Sequence, residues 1–123
     1  EFSQPLKLAA LLLILAGYVI SSAALITNRF FSGVVRIQSE RGHHVVSSGP
    51  YAWVRHPGYA GSLLVFLALP VWLDSPWSFV LVAVFLVAIV LRTHLEDQTL
   101  QAELPGYAEY AQKVRYRLLP GVW

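Results

Sequence analysis

The chain has 123 residues, which is enough for one domain. Hydrophobic residues make up 56% of it and charged residues only 13%, well below the roughly 25% usual in soluble domains, and this composition excludes an ordinary soluble globule. Cysteine is absent, which excludes disulfide bonds and thiolate metal sites, and a net charge of +2 without a basic run argues against binding to nucleic acid. The apolar residues come in long blocks, so the sequence predicts an integral membrane protein.

Residues 5–28 are predicted to form the first membrane helix. At 1.5 Å per residue the segment is about 36 Å long, which exceeds the roughly 30 Å thickness of the hydrocarbon core. A secretory signal peptide is the alternative, but the segment has no basic region before it and no charged soluble domain after it. Gly17, Ser21 and Ser22 are small enough to let a second helix approach closely.

Residues 29–58 are predicted to form a polar loop. From Gly42 to Gly61 the chain has four glycines and two prolines, which are typical of a loop whose backbone can approach a ligand. Gly49 and His56 each precede a proline and are therefore expected to be extended. Arginine and lysine residues are concentrated in this loop and in the C-terminal tail, so the positive-inside rule places both on the cytoplasmic side.

Residues 59–100 are predicted to form a helical hairpin. The first arm ends at Leu73 and the second begins at Pro76, since Asp74 or Ser75 can cap a helix and proline fits a first helical turn. The apolar part of the first arm is only about 21 Å long, so this arm starts earlier, re-enters the membrane or packs as half of the hairpin. The second arm becomes polar in its last third, which returns the chain to the side of the loop.

The C-terminal tail, residues 104–123, begins with Leu104-Pro105-Gly106, which breaks the helix. The segment from Tyr107 to Arg117 is basic and aromatic, and we expect a short helix at the membrane interface. The predicted fold class is therefore all-α. We expect a polytopic integral membrane protein with about three membrane helices, a helical hairpin, a cytoplasmic loop and a C-terminal interfacial helix.

The predicted topology brings the loop from His43 to Tyr59 close to the polar end of the hairpin. Arg92 and Glu96 lie four residues apart and share a helix face, either as a surface ion pair or as two groups with different ligands. Arginine before glutamate is the weaker order for a helix pair, which favours different ligands. Glu96 can accept hydrogen bonds from an ammonium or from ribose hydroxyls, and aromatic rings in the loop can stack on a base or face a cation. Such a site would suit a zwitterionic nucleotide with a positive centre.

Several of these features also have simpler interpretations. Tyr51, Trp53 and Tyr59 fit an aromatic belt at the membrane interface, and Arg55-His56 fits an anchor for lipid headgroups. The four histidines lack the spacing of a recognised metal site. The sequence has no Gly-x-Gly-x-x-Gly after a strand and no Gly-x-Ser-x-Gly, which argues against a Rossmann cofactor site and against a serine hydrolase.

Three motifs in order carry a resemblance to a known family. They are GPYAWVRHPGYAG at residues 49–61, RTHLEDQTL at residues 92–100 and YAEYAQKVRYRLLPGVW at residues 107–123. With an apolar hairpin between the first two, they resemble the isoprenylcysteine carboxyl methyltransferase family of polytopic membrane enzymes, which use S-adenosylmethionine. The related phospholipid N-methyltransferases share the Arg-His-Pro-x-Tyr-x-Gly and acidic-pair pattern. The resemblance covers residues 28–123 and extends into the first helix.

The resemblance implies a set of cofactor contacts, some of them through backbone atoms. They are His43, Val45, Val46, Tyr51, His56, Pro57, Gly58, Tyr59 and Glu96. It also implies that Arg92 is the catalytic residue that binds and orients the substrate. The sequence departs from the family pattern where Glu96-Asp97 stands for Glu-Glu and where Leu104-Pro105-Gly106 stands for Phe-Gly. It does not include the family's upstream helices, so we expect N-terminal sequence before residue 1.

The activity implied by the resemblance is transfer of a methyl group from S-adenosylmethionine to a lipophilic acceptor, with S-adenosylhomocysteine as the product. A carboxylate is the favoured acceptor, since Arg92 can pair with it. The alternatives are phospholipid amine N-methylation and a non-catalytic membrane subunit that binds lipid. The expected partners are the lipid bilayer and a lipophilic substrate of prenylcysteine or lipid type, without nucleic acid or metal. The cofactor site is expected on the cytoplasmic side.

Overall fold

A computed structural model describes residues 1–30 and 37–123, and within these ranges the chain is helical without strands, which confirms the predicted all-α class. The helices are α1 (Gln4–Thr27), α2 (Pro57–Trp72), α3 (Phe79–Glu103) and α4 (Tyr107–Lys113). Short 3-10 turns lie at Ser39–Arg41, Gly49–Ala52 and Pro76–Ser78. The part of the predicted polar loop at 31–36 lies outside the described residues.

Two helical stretches, Gln4–Thr27 and Pro76–Glu103, are long and apolar enough to cross a membrane, and α2 is a shorter apolar helix. Most of the large apolar side chains on α1 and on the first half of α3 are exposed, for example Leu12 and Val84. Exposed apolar surface of this extent is expected where lipid, not water, surrounds a helix.

α1 begins and ends close to the predicted limits of 5–28. Ser3 is extended, and its hydroxyl accepts a hydrogen bond from the N–H of Leu6 at 3.4 Å. Pro5 stands in the first turn, where a missing N–H removes no helical hydrogen bond. Asn28 is extended and ends the helix. The helix therefore spans the apolar block and stops at the first polar residues that follow it.

α1 and α2 pack at unusually short range through small residues. A side chain at Gly17 or at Gly61 would collide with the backbone carbonyl of the other glycine. One turn further along α1, the Ser21 hydroxyl donates a hydrogen bond to the Gly58 carbonyl at 3.0 Å. This contact confirms that Gly17 and Ser21 permit close helix approach, and it fixes the first turn of α2 against α1.

α2 begins at Pro57, two residues before the predicted start of the hairpin, because proline is well suited to a first helical turn. His56 precedes it with φ −129° and ψ 63°, so it avoids the helical region, as is usual before proline, but is not extended as predicted. Gly49 was also expected to be extended, and this prediction is wrong. Its φ is +58°, a conformation that glycine adopts without strain because it has no Cβ, and it opens the turn Gly49–Ala52.

The turn between α2 and α3 lies at the end of the helices remote from the polar loop. The Asp74 carboxylate accepts a hydrogen bond from the N–H of Phe2 at 3.0 Å and pairs with Lys7. The hydrogen bond from Lys7 lowers the pKa of Asp74. The predicted helix cap by Asp74 or Ser75 is wrong, because Asp74 binds the N-terminal segment and the Ser75 side chain makes no capping hydrogen bond.

We expect Gly61→Val to destabilise the protein by about 1–3 kcal/mol, because the new side chain must separate α1 from α2. The measurement is the thermal unfolding midpoint in detergent, compared with that of Ala83→Val, which introduces the same side chain at an exposed position of α3. Equal midpoints for the two variants would show that the close contact does not hold the helices together.

Candidate functional site

A pocket lies where the polar loop, the C-terminal part of α3 and α4 meet. Its unfilled space, counted out to the solvent at its mouth, is about 770 Å³. Eight of the ten predicted site residues line the pocket: His43, Val45, Val46, Tyr51, His56, Gly58, Tyr59 and Glu96. The structure therefore brings together residues that are up to 53 positions apart in the sequence (96 − 43 = 53).

The other two predicted residues lie beside the pocket wall formed by the described residues. Pro57 is fully buried as the first residue of α2, so it shapes the loop end without facing the pocket. Arg92 lies one helical turn before Glu96 on α3, next to the apolar part of that helix. A ligand in the pocket and a ligand at Arg92 would thus approach the same region from different sides.

Tyr59 joins Arg92 to Glu96. The Arg92 Nε donates a hydrogen bond to the Tyr59 hydroxyl at 2.7 Å, and this hydroxyl donates in turn to Glu96 Oε2 at 2.5 Å. The Arg92 guanidinium carbon lies 5.8 Å from the centre of the Tyr59 ring. Both hydrogen bonds involve a charged group, which makes them stronger than neutral ones. The two charged residues of α3 are therefore linked through a residue of α2.

Asp97, the residue next to Glu96, is buried at the centre of a polar cluster and has only 1% of its surface exposed. Its carboxylate accepts hydrogen bonds from the His56 ring at 2.9 Å, from the Tyr107 hydroxyl at 2.9 Å and from the Gln101 amide at 2.7 Å. Each donor satisfies part of a charge whose burial would otherwise be very unfavourable.

Two guanidinium groups neutralise the same carboxylate. Arg55 lies 3.2 Å and Arg117 3.5 Å from Asp97 Oδ2. The side chains of Arg55 and His56 are each only 4% exposed, so the alternative interpretation of this pair as a headgroup anchor is wrong. Burial brings both residues to the inside of the loop, where they hold Asp97.

The C-terminal segment closes one side of the pocket. The N–H groups of Arg55 and His56 donate to the carbonyls of Tyr116 and Arg117, both at 2.9 Å, so the tail runs beside the loop. The Tyr110 hydroxyl donates to the Tyr51 carbonyl at 2.5 Å. These bonds attach α4 and the residues after it to the segment that precedes α2.

Burial keeps the pocket tyrosines protonated. It raises the pKa of Tyr51 to about 12, and it also raises the pKa values of Tyr110 and Tyr107, the latter further because of the nearby Asp97 charge. Their hydroxyl groups are hydrogen-bond donors throughout the physiological range. Trp53, which the belt interpretation grouped with Tyr51 and Tyr59, is 73% exposed, while Tyr51 is buried, so these aromatic residues do not form one belt.

His43 forms the opposite wall with Phe30. The two rings stack with centres 4.4 Å apart, and His43 Nδ1 accepts a hydrogen bond from the N–H of Gln38 at 3.0 Å. His44 is more exposed and meets the edge of Phe30 at 5.0 Å. Within residues 1–30 and 37–123, no three or more His, Cys, Asp or Glu side chains are grouped so as to hold a metal ion.

Four residues have a role in the buried cluster that was not predicted from the sequence: Asp97, Arg55, Tyr107 and Arg117. One signal was available, because Asp97 and Gln101 are four residues apart and must share a face of α3. No local sequence pattern indicates the contacts of Tyr107 and Arg117 with Asp97, because they form only when residues 107–117 fold back against the loop.

Comparison with known proteins gives a consistent result. A family model described as "Isoprenylcysteine carboxyl methyltransferase (ICMT) family" matches residues 8–102. A probable protein-S-isoprenylcysteine O-methyltransferase of Oryza sativa subsp. indica is 34% identical over 107 residues, which are 85% of this chain and 56% of the relative. The Delta(14)-sterol reductase TM7SF2 of Mus musculus is 34% identical over 95 residues, covering 75% of this chain and 23% of that protein.

A solved structure titled as the eukaryotic intramembrane Ras methyltransferase ICMT has the same fold. It matches with a TM-score of 0.74 and 24% identity over 95% of this chain and 42% of that chain. The chain thus spans about half the length of the plant methyltransferase relatives it matches. Since the family model matches more than half of the residues, the chain belongs to the isoprenylcysteine carboxyl methyltransferase family.

Proposed function

We propose that the protein transfers a methyl group from S-adenosylmethionine to a lipophilic acceptor that carries a carboxylate. The observation that supports this most directly is the Arg92–Tyr59–Glu96 arrangement at the end of the apolar part of α3. In this arrangement the Arg92 guanidinium, which would bind the acceptor, lies close to the Glu96 carboxylate, which would bind the donor. The name of the rice relative, an isoprenylcysteine O-methyltransferase, agrees with a carboxylate acceptor on a prenyl chain.

The chemistry of the pocket residues fits S-adenosylmethionine. Glu96 offers a carboxylate to an ammonium or to ribose hydroxyls, and Tyr51 offers an aromatic surface. The Val45 and Val46 side chains are apolar, so these residues would bind polar groups through their backbone. We assign donor binding to His43, Val45, Val46, Tyr51, His56, Pro57, Gly58, Tyr59 and Glu96. When bound, S-adenosylmethionine supplies a methyl group on a sulfonium, which is already activated for displacement.

The protein then has to hold the acceptor oxygen in line with the sulfur–methyl bond of the donor and to exclude water. A guanidinium binds a carboxylate through two parallel hydrogen bonds, so Arg92 can orient one acceptor oxygen toward the pocket. Arg92 shares a face of α3 with the apolar residues Phe85 and Ala88, two turns and one turn before it, and Ala88 is exposed. A lipid chain that lies along this surface would deliver its polar end to Arg92 from the bilayer, while the donor would enter the pocket from the cytoplasm.

Asp97 contributes by keeping the pocket walls together. It binds the loop at His56, α4 at Tyr107 and the tail at Arg117. Each of these segments forms or supports a wall of the pocket that we assign to the donor. Stability and donor binding should therefore depend on this one carboxylate.

Two alternatives are less well supported. Phospholipid amine methylation would gain nothing from a cation at the acceptor, although Arg92 could hold a phosphate. A non-catalytic lipid-binding subunit would use Arg55 and the cations of the tail; Arg55 and most of Arg117 are buried against Asp97, which leaves Lys113 and Arg115 exposed for such a role. Donor binding that persists at high salt distinguishes an enzyme from such a subunit.

We expect Glu96→Ala to weaken binding of S-adenosylhomocysteine by about 10- to 100-fold, since a charge-assisted hydrogen bond contributes about 1.5–3 kcal/mol. Calorimetric titration of the purified protein measures this, and Glu103→Ala at the exposed end of α3 is the matched control. If the unaltered protein gives no saturable heat, the proposed donor is wrong.

Arg92→Ala should leave the affinity for S-adenosylhomocysteine at least as high as in the unaltered protein but lower methyl transfer at least about 100-fold, as expected for loss of a charged contact with the acceptor. The measurement is transfer of a radiolabelled methyl group to S-farnesylcysteine. Arg115→Ala, at an exposed position in the tail, serves as the control. Equal loss of donor binding and transfer would contradict the separate roles of Arg92 and Glu96.

Asp97→Ala should lower stability by about 3–5 kcal/mol, because it leaves buried Arg55 without its counter-ion. Unfolding in detergent provides the measurement, and Glu109→Ala on the exposed face of α4 controls for simple loss of a carboxylate. An unchanged unfolding midpoint would mean that the cluster does not hold the pocket walls.

A further inference from the structure

Tyr59 occupies the boundary between the two sites assigned above. It lines the pocket together with Glu96 and accepts a hydrogen bond from Arg92, which is not one of the lining residues. It stands in the first turn of α2, which the Ser21–Gly58 hydrogen bond fixes against α1. Its ring lies parallel to that of His56, 6.0 Å away. The hydroxyl is therefore held at one position between the two charged side chains.

The hydrogen bonds of this hydroxyl run in one direction. Arg92 donates to the Tyr59 oxygen at 2.7 Å, and the Tyr59 proton points to Glu96 at 2.5 Å. Consecutive hydrogen bonds polarise one another, so the bond from Arg92 makes Tyr59 a better donor to Glu96. Conversely, the bond to Glu96 makes the Tyr59 oxygen a better acceptor for Arg92. Each bond strengthens the other while both sites contain only protein groups.

We propose that the Tyr59 hydroxyl couples the two sites, so that binding of the acceptor carboxylate at Arg92 strengthens donor binding at Glu96, and the reverse. This inference rests on the proposed function of the pocket. A carboxylate that binds Arg92 competes with the Tyr59 oxygen for the guanidinium. Tyr59 then becomes a weaker donor to Glu96, whose oxygens are more available to the ammonium or ribose hydroxyls of the nucleotide.

Binding of the donor acts through the same bridge in the opposite direction. Nucleotide groups that donate to Glu96 weaken its bond with Tyr59, which weakens the hold of Tyr59 on Arg92. Because coupling between binding sites is reciprocal, each ligand must raise the affinity for the other by the same factor. Tyr59 is thus a positioning residue that favours simultaneous occupancy by donor and acceptor.

The test measures S-adenosylhomocysteine affinity by calorimetry with and without saturating S-farnesylcysteine whose amine is blocked. We expect the free carboxylate to raise the affinity at least about fivefold, the lower end of typical coupling between sites. The corresponding carboxamide, which has the same lipid chain but no charge to compete for Arg92, should raise it less than about twofold. An unchanged affinity with the carboxylate, or an equal gain with the carboxamide, would overturn the proposal.

Tyr59→Phe isolates the hydroxyl, since it retains the ring and removes both hydrogen bonds. We expect this variant to bind S-adenosylhomocysteine but to gain less than about twofold from the carboxylate. Tyr18→Phe, on the exposed surface of α1, should keep the full gain. If Tyr59→Phe keeps it as well, the coupling does not pass through Tyr59. The comparison of the carboxylate with the carboxamide uses only the unaltered protein, so it does not depend on whether a variant folds. If the unaltered protein does not bind S-adenosylhomocysteine at all, the proposed function is refuted instead.

Discussion

The Asp97 carboxylate is the contact on which the geometry of the pocket depends. It is 1% exposed and receives hydrogen bonds or charge from the loop before α2, from α3, from α4 and from the tail. A buried carboxylate tolerates few arrangements, because any donor that moves away leaves charge without compensation. The four segments must therefore fold around it together. Their inner surfaces then form the pocket, although Asp97 itself does not line it.

The packing of α1 against α2 fixes the remaining wall. Contact between Gly17 and Gly61 sets the distance between α1 and α2, and Ser21 binds the first turn of α2 through the Gly58 carbonyl. Within a bilayer, helix association relies on such close packing and hydrogen bonding, because lipid is as apolar as the side chains. One result is a fixed position for Tyr59, one residue after Gly58. Helix packing thus determines where the bridge between Arg92 and Glu96 lies.

The sequence predicts most of this fold because, in a lipid environment, a long apolar segment must satisfy its own backbone hydrogen bonds. A long apolar segment must form a helix, so α1 and α3 could be located to within a few residues. Of the ten site residues that the motif resemblance implied, eight line one pocket. The backbone of Gly49 was predicted wrongly, since the preference for extended structure before proline is weak for glycine, which tolerates positive φ.

The polar cluster could not be predicted from local patterns. Asp97 and Tyr107 are ten residues apart, across the break after α3. Arg55 precedes α2 and Arg117 follows α4, so both lie far from Asp97 in the sequence. Composition and periodicity report which residues are apolar, and they assign a charged residue to the surface by default. Only the course of the tail shows that these charges are buried together.

The adjacent acids Glu96 and Asp97 separate two tasks by helical geometry. Consecutive residues on a helix point about 100° apart, so Glu96 faces the pocket while Asp97 faces the cluster. The shorter side chain at the second position, a departure from the family pattern, fits this difference. Asp97 has three hydrogen-bond donors at 2.7–2.9 Å in a filled space, where a further methylene would have to displace them. Glu96 extends toward an open volume, and its longer side chain is what reaches the Tyr59 hydroxyl. The order of the two acids therefore places Glu96 at the pocket and the next residue, Asp97, in the cluster that holds the fold together.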